Sequence, residues 1–307
     1  MLLSGTKLLQ MGEFTRRHFL RTGLSGAIVA TGALSHLMAE TTSTPGVDMV
    51  ELGKTGLKVS RLAMGMGTNG WNHGSNQTRI GMEKFMTMVH AGLDRGIRFF
   101  DTADTYGSHP FVKEALKLVH REEVTVMTKI WTENLDWHPL QPVDQTIDRI
   151  RKELGTDYLD IVLLHCMSNS KWPEEKKRFM DGLSEAKSKG LIRKIGFSAH
   201  DYGALESGVN HAWPDVVLAR INNREIRMDV HPDKIMSLLE IAGNKGKGVL
   251  GMKIFGCGDL VKDEEKMASL NFVVRSKKVH AMTIGFEAAS QVHDAVDRLM
   301  GIVSAGI

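Results

Sequence analysis

Residues 97–107 of the chain read IRFFDTADTYG, a short apolar run that ends on an acid, Asp101, with Tyr106 five residues later. Two later runs repeat this plan with a different polar residue at the end: VTVMTK at 124–129 and YLDIVLLH at 158–165. Short runs that are apolar almost throughout are typical of parallel strands buried on both faces. The three runs therefore predict neighbouring strands of one parallel sheet.

The rest of the chain continues this alternation of strand and helix patterns. A hairpin is predicted at 50–60, where two short β-like runs flank a Lys-Thr-Gly turn. Strands are predicted at 61–64, 97–101, 124–129, 158–164, 191–197, 216–221, 248–254 and 279–285, and helices at about 83–95, 111–120, 142–154, 174–189, 201–210, 232–244, 263–276 and 289–300. Eight such pairs favour an α/β fold of the (β/α)8 TIM barrel type, preceded by the hairpin, over an open sheet.

The predicted barrel brings four polar groups to one rim, at the C-terminal ends of its strands: Asp101, Tyr106, Lys129 and His165. Each alone has an ordinary structural explanation, such as a helix cap, loop packing, a solvated lysine or a buried histidine. Their position at the ends of consecutive strands is what makes them candidates for catalysis, because barrel enzymes carry their active sites on that rim.

The chemistry of these four groups is specific. A tyrosine has a pKa near ~10, and a neighbouring ammonium is expected to lower that pKa so that Tyr106 can exchange a proton. Asp101 would hold Lys129 charged and in place, and His165 could orient a carbonyl oxygen. This set delivers a proton to oxygen but supplies no hydride, for which a nicotinamide is the natural candidate.

Residues 1–39 are predicted to be a twin-arginine signal peptide, with Arg16 and Arg17 followed by a weakly apolar, Gly- and Ala-rich segment. An amphipathic N-terminal helix is the alternative. Residues 40–47 are predicted as a linker, and 48–307 as the barrel. The apolar segment is too short for a membrane span, so we expect the twin-arginine export machinery as a partner, no stable membrane span after processing, and a periplasmic or exported location.

Composition excludes some classes of function. The net charge of +3 comes from the first 39 residues, and the remaining chain has equal numbers of basic and acidic side chains. The remaining chain therefore lacks the excess of positive charge that is typical of proteins that bind nucleic acid. Cys166 and Cys257 form no metal-binding spacing, so no metal site is predicted. They could pair in an oxidising compartment, although burial as small apolar side chains is the simpler expectation.

The segment GMGTNG at 65–70 matches the glycine pattern of dinucleotide-binding folds. That fingerprint also needs a helix that opens at the third glycine and an acid about twenty residues later, whereas loop-like residues follow here. We interpret the segment as the first loop of the barrel, where glycines let the backbone approach a ligand, and predict Gly67 and Thr68 as cofactor-binding residues.

Three motifs together resemble the catalytic regions of the aldo-keto reductase superfamily. They are Asp101-Thr102-Ala103 with Tyr106-Gly107, Thr128-Lys129-Ile130-Trp131, and Asp160-Ile161-Val162-Leu163-Leu164-His165. The resemblance covers residues 48–300 and includes the hairpin LGKTGLKVS at 52–60. It implies a (β/α)8 barrel that reduces aldehydes or ketones, possibly sugars, with NADP(H) or NAD(H). It also implies that tyrosine is the general acid, lysine and aspartate tune it, and histidine orients the carbonyl.

The resemblance implies further cofactor contacts, some of which are altered in this chain. Ser198 is retained where the family holds the carboxamide, but Ala199 replaces asparagine, Leu218 replaces glutamine and Met252 replaces a stacking tyrosine. The other residues predicted to bind the cofactor are Asn222, Lys253 (toward the pyrophosphate), Gln291 and Asp294. Glu287 stands where a cation commonly meets the 2′-phosphate of NADPH and would repel it.

Trp71, Trp131 and His109 are predicted to line the substrate mouth, and Trp131 matches an aromatic residue of the family's substrate pocket. The leading hypothesis is an exported carbonyl reductase or alcohol dehydrogenase. The alternative is a cofactor-binding regulatory or sensory barrel with little turnover. A barrel hydrolase or lyase would need a second carboxylate or a metal set that the sequence does not offer.

Overall fold

The computed structural model describes residues 46–306. The predicted signal peptide and nearly all of the predicted linker lie outside this range. Within it, no helix combines the length and the apolar character that crossing a membrane requires.

The barrel consists of eight parallel strands that close on themselves, which confirms the predicted fold. The strands are β3 (Leu62–Gly65), β4 (Phe99–Asp101), β5 (Thr125–Ile130), β6 (Leu159–Met167), β7 (Ile192–Ala199), β8 (Val216–Arg220), β9 (Gly248–Met252) and β10 (Ala281–Gly285). They pair in chain order, and β10 closes the barrel against β3. Consecutive strands are therefore spatial neighbours, so residues that follow them meet at one rim.

Helices connect the strands. They are α1 (Asn76–Arg79), α2 (Met82–Asp94), α3 (His109–Leu116), α4 (Val143–Leu154), α5 (Trp172–Glu175), α6 (Lys177–Ser188), α7 (Tyr202–Asn210), α8 (Pro232–Asn244), α9 (Asp263–Arg275) and α10 (Ala289–Ser304). The predicted helix at 174–189 is two helices, because the backbone leaves helical geometry at Lys176. α1 is an additional turn of helix inside the first loop, capped by Ser75.

Two apolar layers hold the barrel together. Side chains alternate along each strand, so every second residue points into the barrel and its neighbours point toward the helices. The inner layer includes Phe99, Met127 and Leu163. The outer layer includes Phe100, Val126 and residues of the surrounding helices. Both layers are buried, which explains why the strands read as nearly continuous apolar runs.

The predicted hairpin is present as β1 (Met49–Glu51) paired with β2 (Lys58–Ser60). Its side chains Leu52, Leu57 and Val59 are buried with the inner layer of the barrel. The hairpin reaches β9 from its N-terminal side, since Lys54 N–H donates to Gly246 O at 2.8 Å. The hairpin therefore closes the floor of the barrel, opposite the rim with the polar groups.

Asp160 belongs to the same strand as His165 but lies near its N-terminal end. Its buried carboxylate accepts hydrogen bonds from Arg121 at 2.6 Å, Arg193 at 3.0 Å and the Val126 N–H at 3.0 Å. It links β5, β6 and β7 below the site, which is a structural role.

Candidate active site

Strand alternation explains why residues far apart along the chain converge. Asp101, Lys129 and His165 each stand two residues after an inner-layer side chain, so each also points inward, at the top of its strand. All three are nearly fully buried, with exposed fractions of 6%, 2% and 7%. An acid, an ammonium and an imidazole are thus held at one end of the barrel interior.

The Lys129 ammonium is fully engaged by its surroundings. It donates to the Asp101 carboxylate and, at 2.9 Å, to Thr102 O. A buried charge is tolerated when it is paired and hydrogen-bonded in this way. Asp101 and Lys129 therefore form one neutral unit beside the cavity.

The Tyr106 hydroxyl lies 3.2 Å from Nε2 of His165, and the two rings meet edge to face. Lys129 Nζ lies 5.0 Å from the centroid of the Tyr106 ring. Nδ1 of His165 is buried without a hydrogen-bond partner in the described residues. An unpaired acceptor is tolerated better than an unpaired N–H, which assigns the imidazole proton to Nε2, facing the phenol.

The predicted lowering of the Tyr106 pKa is not found, because the pKa is raised overall. Burial raises the pKa of the Tyr106 phenol well above 10.0, and the Asp101 charge raises it further. The Lys129 ammonium, which is paired with Asp101 and lies 5.0 Å from the centroid of the Tyr106 ring, does not offset these two effects. Burial likewise lowers the pKa of His165 well below 6.5, and the Lys129 charge adds to that effect. The phenol is protonated and the imidazole neutral at neutral pH.

The glycines of the first loop serve Tyr106. A Cβ atom at Gly67 or at Gly70 would overlap the Tyr106 ring from either side. The glycines therefore let the backbone of the first loop pack directly against the Tyr106 ring. The sequence had instead suggested that they let the backbone approach a ligand. No helix opens at Gly70; α1 begins only at Asn76.

A cavity of about 700 Å³ opens beside these groups. Among the predicted residues it is lined by Asp101, Tyr106, His165, Gly67, Thr68, Lys253, Gln291, Asp294, Trp71 and Trp131. It extends from the phenol to the first turn of α10, so three of the four predicted catalytic residues and most of the predicted cofactor residues face one space, while Lys129 lies behind Asp101. Their roles stay predictions.

Ser198 and Asn222 do not line this cavity. Ser198 is fully buried, and its hydroxyl accepts the Cys166 N–H at 2.8 Å. The Asn222 amide donates to Ile226 O at 2.8 Å and to Lys253 O at 3.2 Å. Both side chains hold loops of this chain in place, so the prediction that they bind the cofactor is not supported by their positions.

His109 does not reach the substrate mouth. It is 2% exposed, with Nδ1 2.7 Å from Glu153 and Nε2 2.9 Å from Thr128. It joins the start of α3 to β5 and α4, beneath the rim. This position does not support the predicted substrate contact, because the imidazole is turned inward by a hydrogen bond to Glu153, 44 residues away along the chain.

Aromatic side chains form the mouth. The ring centroid of Trp71 lies 5.0 Å from that of Trp131 and 4.8 Å from that of Trp137, both edge to face. Asp104 holds this side of the site in place. Its carboxylate accepts a hydrogen bond from the backbone N–H of Trp131 at 3.1 Å and lies 3.2 Å from His138 Nε2. It ties the segment that carries Tyr106 to the segment after Lys129.

Cys166 and His200 also line the cavity, and the sequence did not predict them. Cys166 Sγ lies 3.0 Å from His200 Nδ1. Burial raises the pKa of the thiol, and burial lowers the pKa of His200 to about 3. Strict alternation after His165 would turn Cys166 outward, but a register shift in β6 and a φ of +66° redirect it. In the sequence, the only indication that Cys166 lines the cavity is its position next to His165.

In the described residues, no three side chains of His, Cys, Asp or Glu are grouped so that they could hold a metal ion.

Comparisons with known proteins agree with this geometry. Methylglyoxal reductase DkgB of Salmonella typhi is 33% identical over 138 residues, which cover 43% of this chain and 48% of that protein. The chain thus spans about half the length of that curated relative. The NAD(P)H-dependent D-xylose reductase of Pachysolen tannophilus is 25% identical over 219 residues, covering 60% of this chain and 66% of that one.

The fold is shared with solved structures. An aldo-keto reductase homologue from Pseudomonas aeruginosa superposes with a TM-score of 0.68 at 21% identity, over 83% of this chain and 96% of that one. The model of the Aldo/keto reductase family matches residues 63–301, which is most of the chain and contains all four polar groups of the rim. The chain belongs to the aldo/keto reductase family.

Proposed function

We propose that the protein reduces an aldehyde or ketone to the alcohol with NAD(P)H, that sugars are among its candidate substrates, and that Tyr106 is the general acid. The observation that carries this proposal is that Tyr106, His165 and Asp101 line one cavity, with the Lys129 ammonium buried behind them against Asp101. The names of two relatives, a methylglyoxal reductase and an NAD(P)H-dependent D-xylose reductase, support a carbonyl substrate and this type of cofactor.

The cavity fits a nicotinamide dinucleotide. Gly285 and Thr68 both line the cavity, and they pack so closely that a Cβ at Gly285 would overlap the Thr68 side chain. The Thr283 hydroxyl on the same wall is buried without a partner among the described residues, which leaves one polar group for a ligand. Lys253, Gln291 and Asp294 would hold the phosphate and adenosine parts. Bound there, the dinucleotide would supply the hydride.

The residues of the chain would handle the proton. His165 donates its Nε2–H toward the Tyr106 oxygen, which leaves the phenolic proton free to point at a carbonyl oxygen in the cavity. The raised pKa keeps that proton on Tyr106 until charge develops on the substrate oxygen. When the phenol gives up its proton, the nearby Lys129 ammonium stabilises the phenolate, and Asp101 keeps Lys129 in place.

A second candidate, a cofactor-binding regulatory barrel with little turnover, is favoured by one observation. Leu218 and Met252 belong to the apolar inner layer, and Ser198 is committed to Cys166. The side chains that would fix a carboxamide in related barrels are thus replaced or engaged here. Such a protein would bind the dinucleotide but scarcely consume it.

A turnover assay separates the two. Purified protein would be mixed with NADH or NADPH and a panel of 2-oxoaldehydes, simple aldehydes and keto-sugars, and cofactor oxidation followed by absorbance. A reductase oxidises cofactor in proportion to enzyme concentration with at least one member of the panel. Saturable cofactor binding without oxidation would instead support the regulatory barrel.

The pH dependence of reduction is expected to be flat around neutrality. The reactive forms are neutral His165, present above its lowered pKa, and protonated Tyr106, present below its raised pKa. The rate kcat/KM should therefore vary less than about twofold between about pH 6 and about pH 9 and fall only outside that window. A bell-shaped profile centred near the ordinary histidine pKa would contradict these assignments.

We propose that the protein is exported through the twin-arginine route, supported by Arg16 and Arg17 before the Gly- and Ala-rich segment. Expressed in a bacterium with that machinery, the double variant Arg16→Lys/Arg17→Lys should remain in the cytoplasm, whereas the control Arg21→Lys should reach the periplasm. Cell fractionation measures both. Equal periplasmic amounts of the two variants would remove the proposal.

A further inference from the structure

We propose that this site selects NAD(H) over NADP(H), with Glu287 as the residue that discriminates between them. The inference rests on the proposed function, because it concerns the part of the cavity that would hold the adenosine half of the dinucleotide. That part is lined by Asn76, Glu287, Gln291, Asp294 and Lys266.

The direction of the ligand follows from the shape of the cavity. The reacting end must stand beside Tyr106 and His165, where the proton is delivered. The remaining length of the cavity runs past Lys253 to the start of α10. The ribose that carries either a hydroxyl or a phosphate at its 2′ position therefore lies among the residues of that end.

Glu287 is held in this part of the wall by its neighbours. The Asn76 amide donates to its carboxylate at 2.6 Å, and its backbone N–H donates to the Gln291 side chain at 2.7 Å. The second carboxylate oxygen accepts no hydrogen bond in the described residues. A carboxylate held in this way can accept a hydrogen bond from a ribose hydroxyl, as acids do in NAD-specific sites, but it repels a phosphate.

The cations near Glu287 already have partners. Arg298 binds Asp294 at 2.6 Å and Asp263 at 2.8 Å, and Lys266 lies 3.7 Å from the same Asp294. Hydrogen bonds from Arg298 lower the pKa of Asp294, so that this acid stays charged. The dinucleotide brings two pyrophosphate charges that also need Lys253 or Lys266. If Lys253 is used by the pyrophosphate, a further phosphate would add nearly two charges beside Glu287, where the nearby cations Arg298 and Lys266 already face Asp294 in the part of the chain that the structure describes.

Two positively charged features near Glu287 favour NADPH binding instead. The free N–H groups at the start of α10 carry about half a positive charge, which is less than the full negative charge of Glu287 beside them. Arg79 lies nearby, but it donates to the side-chain oxygen Oδ1 of Asn76 at 2.7 Å and does not line the cavity. An Arg79 that turned toward the ligand is the main alternative, and the experiment includes it.

The test measures dissociation constants of NADH and NADPH by tryptophan fluorescence, without a carbonyl substrate. The wild-type protein should bind NADH at least about tenfold more tightly than NADPH. Glu287→Arg should tighten NADPH binding by about tenfold or more and change NADH binding much less. The half-molecule 2′,5′-ADP, used as a competitor, should follow NADPH. Glu206→Arg, an equal charge change on the exposed face of α7, should leave both constants unchanged.

Each outcome has one meaning. NADPH binding equal to or tighter than NADH binding in the wild type overturns the selectivity. Loss of NADPH binding in Arg79→Ala overturns it as well, because Arg79 would then hold the phosphate. If neither dinucleotide binds, the proposed function fails, which is distinct from a failure of the selectivity. Preferred NADH binding that Glu287→Arg does not alter would overturn the role of Glu287.

Discussion

Tyr106→Phe is expected to lower kcat/KM for carbonyl reduction by about 10²- to 10⁴-fold, the usual contribution of a positioned general acid. The substitution removes only the hydroxyl, which lies 3.2 Å from His165 Nε2. The ring remains between Gly67 and Gly70, so the loop around it should keep its shape. The initial rate of cofactor oxidation, at several substrate concentrations, measures the effect.

Two controls make this result specific. The dissociation constant of the dinucleotide should change less than about twofold in Tyr106→Phe, because the hydroxyl acts on the substrate oxygen. Tyr202→Phe removes a phenolic hydroxyl from α7, whose ring packs against the outer layer, and should leave kcat/KM unchanged. A Tyr106→Phe variant as active as the wild type would rule out the tyrosine as the general acid.

Lys129→Met should affect both stability and activity. It leaves the Asp101 carboxylate buried without its cation, and breaking a buried pair in this way costs about 3 to 5 kcal/mol of unfolding free energy. It also removes the charge that would stabilise a Tyr106 phenolate, so kcat should fall. Urea unfolding and steady-state kinetics measure the two effects separately.

The double variant Lys129→Met/Asp101→Asn separates fold from chemistry. Replacing the unpaired Asp101 carboxylate with an amide should restore most of the lost stability, because no unpaired charge remains. It should not restore kcat, because the ammonium is still missing. Recovery of both together would mean that Lys129 acts only as a structural partner of Asp101.

The barrel and the position of the four polar groups were predictable because both follow from local patterns. Apolar runs specify strands, and alternation then dictates that Asp101, Lys129 and His165 point inward at the strand ends. The order of the strands in the barrel is the order of the chain, so no long-range pairing had to be guessed. Sequence patterns suffice where structure depends on near neighbours.

The misplaced residues depend on distant partners. His109 is drawn inward by Glu153, and Asn222 is used by a loop that contains Ile226. The pKa of Tyr106 depends on how deeply the phenol is buried and how close Asp101 lies to it, which no spacing specifies. Cys166 faces the cavity only because β6 is irregular after Leu164. Each of these features is set by three-dimensional packing rather than by a repeating pattern.

The hairpin has a kinetic consequence. In the part of the chain that the structure describes, Leu52, Leu57 and Val59 close the lower end of the barrel. Under the proposed function, the dinucleotide and the carbonyl substrate would both enter through the opening at the upper rim. The molecule that lies deeper in the cavity would then have to bind first and leave last, so steady-state kinetics should show an ordered sequence of binding and release.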